Sequence, residues 1–432
     1  MKKTVASMVL GLFAVSFGLS IPAFADENEL TALKEQVGKL TNRVTELEGQ
    51  LARPTNVKPA GEAPSGNFIE GAMSGVRLTG FVDTAYHWNF ENPGYVAPTG
   101  TAVDRNQSTG VFDTVGDSFT LHAVKVALEK PAPTTGGVGF RTDLFYGEDA
   151  KVITAGGSEV DDFDLEQAYV EGRIPIHALE GNKFLGDSLY LRAGKYVTLA
   201  GAEVIEAKDN WNTTRSYMFG YAIPFTHTGI RAAYDLWGGK FTLTTGLNNG
   251  WDLLEDNNRY RTWEGQLAFK PNDALLFTVT TYIGPENLNQ LGHKRGLIDF
   301  VALWKATSKL SLMGNIDYGR EGRAAGGPDP LKQADWDGYA LYGRYQLTDK
   351  LAFATRGEIF VDRDTFRVGA GNVANGVARK HRYMELTYTG EYKLYDNLIS
   401  RLEYRYDWAD TTLFEGESSQ NTLSAQLIYN FA

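Results

Sequence analysis

Between Arg401 and Trp408 the chain alternates charge with hydrocarbon at every step. Arg401, Glu403, Arg405 and Asp407 share one parity; Leu402, Tyr404, Tyr406 and Trp408 share the other. Glu385, Thr387, Thr389, Glu391 and Lys393 alternate in the same way with Leu386, Tyr388 and Tyr392. At the C-terminus Leu423, Ala425, Leu427, Tyr429 and Phe431 interleave with Thr422, Ser424, Gln426 and Asn430, and only Ile428 breaks the polar parity. Successive side chains of a strand point to opposite faces, so a period of two builds a sheet with one apolar and one polar face. Alternation alone suits either a soluble sandwich or a membrane barrel. Charged ladders on many strands, however, need a large wet surface on one side, which a lumen provides. Beyond the apolar stretch from Thr4 to Ile21 there is no run of about 18 apolar residues. A chain that crosses lipid without such a helix must close its sheet, because only helices and closed barrels satisfy every backbone polar group there.

The connections carry a second rhythm. Short turn-like links at 235–240, 270–273, 305–309, 347–350 and 394–397 alternate with longer polar links at 249–258, 284–294, 320–335, 363–381 and 409–420. Membrane barrels have short turns at one end and long loops at the other. About sixteen strands are expected, starting near Val76, Ser118, Val138, Phe163, Ser188, His227, Lys240, Asn258, Ala274, Arg295, Lys309, Trp336, Lys350, Arg382, Asn397 and Asn421. The expected fold is all-β: a transmembrane antiparallel barrel over 76–432, preceded by a short coiled-coil helix. Tyr86, Trp88 and Phe90 close the first strand, and Trp304, Tyr345, Tyr392 and Tyr395 sit beside short turns. Rings in such places suit the headgroup level of a bilayer, although cross-strand packing accounts for any one of them.

The N-terminus sets the compartment. Lys2 and Lys3 precede an uncharged, mostly apolar stretch from Thr4 to Ile21, then Pro22 and Ala23-Phe24-Ala25. This pattern predicts a secretory signal peptide over 1–25; the small-x-small site disfavours the alternative of an uncleaved anchor. In segment 26–53, Leu30, Leu33, Val37, Leu40, Val44, Leu47 and Leu51 repeat at spacings of three and four, an a/d seam for a coiled coil. Valine at a with leucine at d leans towards dimers, whereas Arg43-Val44-Thr45-Glu46-Leu47-Glu48 resembles a short trimerisation motif. Pro54, Pro59 and Pro64 with Gly61, Gly66 and Gly71 mark a linker over 54–75.

The full chain has a net charge of −11, and losing the two leader lysines makes it −13. That balance argues against nucleic acid as a partner, since phosphate binding needs a basic face. With no cysteine, neither disulfides nor thiolate metal sites are available.

Several segments resemble the OmpL-like β-barrel porin family of outer-membrane porins. They are Gly80-Phe81-Val82-Asp83, Asn89-Phe90-Glu91-Asn92-Pro93, Ala193-Gly194-Lys195-Tyr196, Gly201-Ala202-Glu203-Val204-Ile205-Glu206, Pro224-Phe225-Thr226-His227-Thr228-Gly229 and Asn248-Asn249-Gly250-Trp251-Asp252. The resemblance runs from about Val76 to the C-terminus. It implies a water-filled channel for small hydrophilic solutes or ions in the bacterial outer membrane, with the coiled coil in the periplasm. Porin barrels commonly associate in threes, which tips the coil towards a homotrimer. Porins typically end in Phe, the residue read by the outer-membrane assembly machinery; here Ala432 follows Phe431.

By position, the link from about Leu199 to Phe225 corresponds to the porin loop that folds inward as a constriction; an extracellular loop packed on the rim is the alternative. It carries Glu203, Glu206, Asp209 and Arg215, with Trp211, Tyr217, Met218 and Phe219 as candidate wedges. Arg192, Arg231, Arg344, Arg356, Arg401 and Arg405 are expected on the facing wall. Acids opposite arginines would set up a transverse field; lumenal salt bridges with Asp235, Glu358, Glu403 or Asp407 are the plainer expectation for each arginine. The net acidity suggests a mild cation preference.

No HExxH, GxSxG, phosphate-loop or EF-hand pattern occurs, and the six histidines show no ligand spacing. Neither enzymatic chemistry, nor a metal, nor a cofactor is expected. Two alternatives fit the same residues. One is a channel specific for sugars or oligopeptides, with Trp211, Tyr217 and Trp251 as candidate contacts. The other is an envelope tether whose coil binds peptidoglycan.

Overall fold

The computed structural model describes residues 75–91, 110–156, 162–179, 181–288, 292–322, 333–368, 380–412, 414 and 417–431. The signal peptide, the coiled-coil seam from Leu30 to Leu51 and the linker lie outside these residues. Sixteen strands run in chain order: β1 (Arg77–Asn89), β2 (Ser118–Lys130), β3 (Gly137–Tyr146), β4 (Phe163–Pro175), β5 (Leu185–Val197), β6 (Thr226–Leu236), β7 (Phe241–Asn248), β8 (Thr262–Asn272), β9 (Leu275–Gly284), β10 (Arg295–Lys305), β11 (Leu310–Glu321), β12 (Ala334–Gln346), β13 (Leu351–Asp362), β14 (His381–Tyr395), β15 (Leu398–Ala409) and β16 (Ser419–Phe431). Each pairs with its sequence neighbours, and β16 returns to β1 to close the barrel. The closing register places Gly80 against Phe431 and Asn89 against Thr422, antiparallel throughout. Every observed start lies within four residues of its expected position. Among the described residues no helix is long and apolar enough to cross a membrane.

The short turns are built from local chemistry. Trp237, Gly238 and Gly239 all take positive φ between β6 and β7, a conformation that two glycines accept without strain. At two other turns a threonine hydroxyl accepts backbone N–H bonds: Leu310 N donates to Thr307 Oγ1 at 2.9 Å and Leu351 N to Thr348 Oγ1 at 3.0 Å. The longer connections leave from the opposite rim, after Asn89 of β1, Val197 of β5 and Asp362 of β13.

The two faces separate as the alternation requires. Leu402, Tyr404 and Tyr406 are exposed on the outer wall of β15, while Arg401, Glu403, Arg405 and Asp407 are buried inside. Leu427 and Tyr429 face out on β16; Ser424, Gln426 and the odd Ile428 face in. Trp88, Phe90, Trp304, Tyr345, Tyr392 and Tyr395 are all outward and exposed.

Two irregularities re-aim inward side chains. The β1–β2 register shifts at Asp83/Thr84, which leaves both His122 and Ala123 buried. The β3–β4 register shifts at Asp143/Leu144, which does the same for Glu166 and Gln167. An extra residue in one strand interrupts the parity of two, so these inward groups fall out of phase with their strands.

Candidate functional site

The 28-residue connection from 198 to 225 does not stay at the rim; it folds into the barrel. Its base is held by the β8–β11 wall. Leu199 N donates to Tyr282 Oη at 2.9 Å, Gln266 Nε2 donates to Leu199 O at 2.9 Å, and Ala202 N donates to Asn315 Oδ1 at 3.1 Å. Further along, charged side chains of β13 to β15 bond to the segment's backbone. Thr213 N and Thr214 N donate to the Glu403 carboxylate at 2.6 and 2.9 Å. Glu358 accepts from Met218 N at 3.1 Å and from Tyr217 N. Arg356, Arg401 and Arg405 donate to the carbonyls of Thr214, Asn210 and Arg215 at 2.6, 2.8 and 2.8 Å. Carboxylates thus meet amides and guanidinium groups meet carbonyls. Such charge-assisted bonds are among the strongest available to a buried backbone.

The expected constriction residues separate into three environments. Glu203 and Arg215 are buried: Glu203 bonds to Arg356 at 2.7 Å, and Arg215 to Asp149 at 2.9 Å. Glu206 reaches across to Lys125 on β2. Burial opposes the charged form of Glu206, but the adjacent Lys125 ammonium outweighs it and holds the carboxyl below its usual range. Asp209 pairs with its neighbour Lys208 at 2.7 Å and stays largely exposed. Tyr217, Met218 and Phe219 are buried as wedges, Phe219 against Phe112 and Phe225. Trp211 meets the ring of Tyr342 edge-on at 6.5 Å.

The six arginines all have carboxylate partners, few of them the ones suggested by sequence. Arg192 pairs with Glu171, Arg231 with Glu264, and both Arg344 and Arg401 with Glu391. Arg356 bridges Glu203 and Glu385; Arg405 joins Asp407, one of the suggested acids. Glu358 and Glu403 bond instead to the segment's backbone, and Asp235 accepts from Thr242.

Two clusters were not legible from spacing. His87 and His122, 35 residues apart, meet across β1 and β2 with Nε2 atoms 2.8 Å apart; His122 Nδ1 lies 2.8 Å from Asp149, which also holds Arg215. Asp143, Glu166 and Glu206 bring ligand atoms within 4.8 Å of one another, close enough for a metal ion. The Lys125 ammonium sits among them instead, 2.8 Å from Asp143 and 2.5 Å from Glu166. The β-bulges that re-aim His122 and Glu166 are the cause of both clusters, and no signal in the sequence marked them.

A broad groove of about 610 Å³ lies on the outer wall among Val138, Val170, Leu191, Ile230, Leu247 and Trp263. It is apolar and faces away from the chemistry described above.

A search of curated protein sequences finds no match. Among solved structures, the outer-membrane channel DcaP of Acinetobacter baumannii is similar at 12% identity and a TM-score of 0.52, over 82% of this chain and 97% of that one. OmpF of Salmonella typhi, solved with daunomycin, matches at 11% identity and 0.52 over 82% and 97%. An anion-selective porin from Comamonas acidovorans matches at 14% and 0.51 over 82% and 99%. At these identities the likeness speaks for the fold alone. The sequence model of the family described as "Putative beta-barrel porin-2, OmpL-like" matches residues 75–431, the whole barrel. This chain belongs to the OmpL-like β-barrel porins.

Proposed function

We propose that the barrel is a diffusion channel of the bacterial outer membrane for small hydrophilic solutes or ions, with no enzymatic chemistry of its own. The observation that carries this reading is the segment 198–225, folded inward and bonded to the lumen wall by Arg356, Arg401, Glu403 and Arg405. In this reading Glu203, Glu206, Asp209 and Arg215 form the narrowing, and Arg192, Arg231, Arg344, Arg356, Arg401 and Arg405 form the wall around it. A mild cation preference is part of the proposal. What supports it is the net acidity of the chain, −11 at neutral pH. The leader at 1–25, a periplasmic coil over 26–53, a homotrimer and insertion by the assembly machinery complete the proposal.

The reversal potential of the signal-free protein in a planar bilayer across a KCl gradient tests the preference. A cation-selective potential is expected; an anion-selective one would overturn it. Removing residues 26–74 should leave conductance intact. If conductance survives but the envelope loosens in cells making only the shortened protein, tethering through peptidoglycan is the principal role of the N-terminus.

A further inference from the structure

Below the inward segment, towards the short-turn rim, lies a cavity of about 330 Å³. It extends from Ala132, in the turn after β2, to Leu199, at the base of the inward segment. That volume falls within the range of small-molecule sites. Three arginines line it, Arg173 on β4, Arg192 on β5 and Arg231 on β6, together with one acid, Glu171 on β4.

The register makes this grouping costly. Arg192 stands directly opposite Arg231, and its other cross-strand neighbour is Glu171, two residues before Arg173. Like charges directly opposite on a sheet repel unless something neutralises them. Arg231 is fully engaged: it grips Glu264 with two bonds of 2.8 and 3.0 Å and reaches Val197 O at 3.3 Å. The other two are not. Among the described residues Arg192 gives one hydrogen bond, at 3.3 Å, to a Glu171 carboxylate whose second oxygen accepts from Ala132 N. Arg173 donates through Nε to Ser188 at 3.0 Å, and its nearest acid, Asp187, is 3.6 Å away and mostly exposed. A guanidinium offers five N–H donors in a planar fork. Most of those on Arg173 and Arg192 therefore remain uncommitted, within a single cavity.

Aromatic faces fix both forks in place. The Arg192 guanidinium carbon lies 4.0 Å from the centre of the Tyr169 ring, and that of Arg173 lies 5.4 Å from Tyr190. Stacking of this kind holds a guanidinium plane without using its N–H groups. Tyr190, Leu199 and Ala233 supply apolar wall beside them.

We infer that this cavity is a binding site for a small organic monocarboxylate, its carboxylate held by Arg173 and Arg192 and its apolar body against Tyr190 and Leu199. The inference deepens the channel reading and rests on it for the solute's route, though not for binding itself. It places a local anion site in a chain that is acidic overall.

The test is calorimetric titration of the folded, signal-free protein in detergent with benzoate, and with benzamide as its uncharged isostere. Saturable binding of one benzoate per chain is expected, with no saturable binding of benzamide. Arg192→Gln and Arg173→Gln should each weaken benzoate at least tenfold. Arg192→Lys, which keeps the charge and loses the fork, should also weaken it. Heat-modifiable gel mobility verifies folding of each variant, and Arg192→Lys serves where a glutamine variant fails to fold. Equal binding of benzoate and benzamide, or affinity unchanged across the variants, would overturn the inference. Bilayer conductance of the same samples separates the two readings. A silent barrel that binds benzoate sinks the channel and keeps the site; a conducting barrel that ignores benzoate does the reverse.

Discussion

At the scale of single residues, the lumen is governed by what buried charges bond to. Arg356 donates to Glu203 and Glu385 at 2.7 Å each and to Thr214 O at 2.6 Å, with none of its side chain exposed. Removing one partner from a buried ion pair costs about 3–5 kcal/mol, because the remaining charge is stranded. Arg356→Met should therefore destabilise the barrel by roughly that amount, read as a lower urea midpoint in lipid vesicles. It should also release the inward segment, giving a larger and noisier conductance.

A second residue-scale effect depends on pH. Glu286, in the connection after β9, accepts from Trp251 N at 2.8 Å and from Thr262 Oγ1 at 2.5 Å. Burial pushes its carboxyl up to about 7, against the pull of Arg295. The folded state thus holds a proton that the unfolded chain releases near its ordinary value of 4.5. Stability should fall as pH rises between those two values, since the folded state binds more protons there. Glu286→Gln, which keeps an acceptor for Trp251, should flatten that slope and unfold later than the parent at pH 8. An unchanged slope between pH 5 and 8 would refute the assignment.

At the scale of elements, the strand alternation was readable because parity alone decides which face meets lipid. Charge on Arg401, Glu403, Arg405 and Asp407 revealed the inner face of β15 without any knowledge of its neighbours. The clusters around Lys125 and around His87 and His122 were not readable, for two physical reasons. Their members come from different strands, so contact depends on register. Bulges at Asp83/Thr84 and Asp143/Leu144 also reset that parity locally. The partners of the wall arginines escaped for the first reason: Glu171 and Glu391 stand directly opposite Arg192 and Arg401, and Glu264 lies one strand further, across Gly246 from Arg231, relations visible only once pairing is known.

Packing between β11, β12 and the inward segment gives a contrast at the same scale. A Cβ on Gly319 would lie 2.0 Å from the rigid Trp336 indole, whereas one on Gly338 would lie 2.5 Å from Cγ of Met218, a flexible chain. Overpacking typically costs about 1–3 kcal/mol. Gly319→Ala should lie at the upper end of that range and Gly338→Ala near the lower, as compared by denaturant midpoints. The reverse order would show that the inward segment is held more rigidly than the wall.

At the scale of the whole molecule, both ends of the barrel chain reach the same rim as the short turns, because an even number of strands returns the chain to its starting side. Arg77, where the first strand begins, therefore lies at the short-turn rim, the periplasmic side in the proposed orientation. The closed sheet and the inward segment are the parts on which the proposed channel rests. The measurement that tests this most directly is single-channel conductance of the refolded, signal-free protein in a planar bilayer. The account predicts stepwise openings, grouped in threes. A barrel that is correctly folded by heat-modifiable mobility yet passes no current would contradict it, and would mean that segment 198–225 closes the lumen rather than narrowing it.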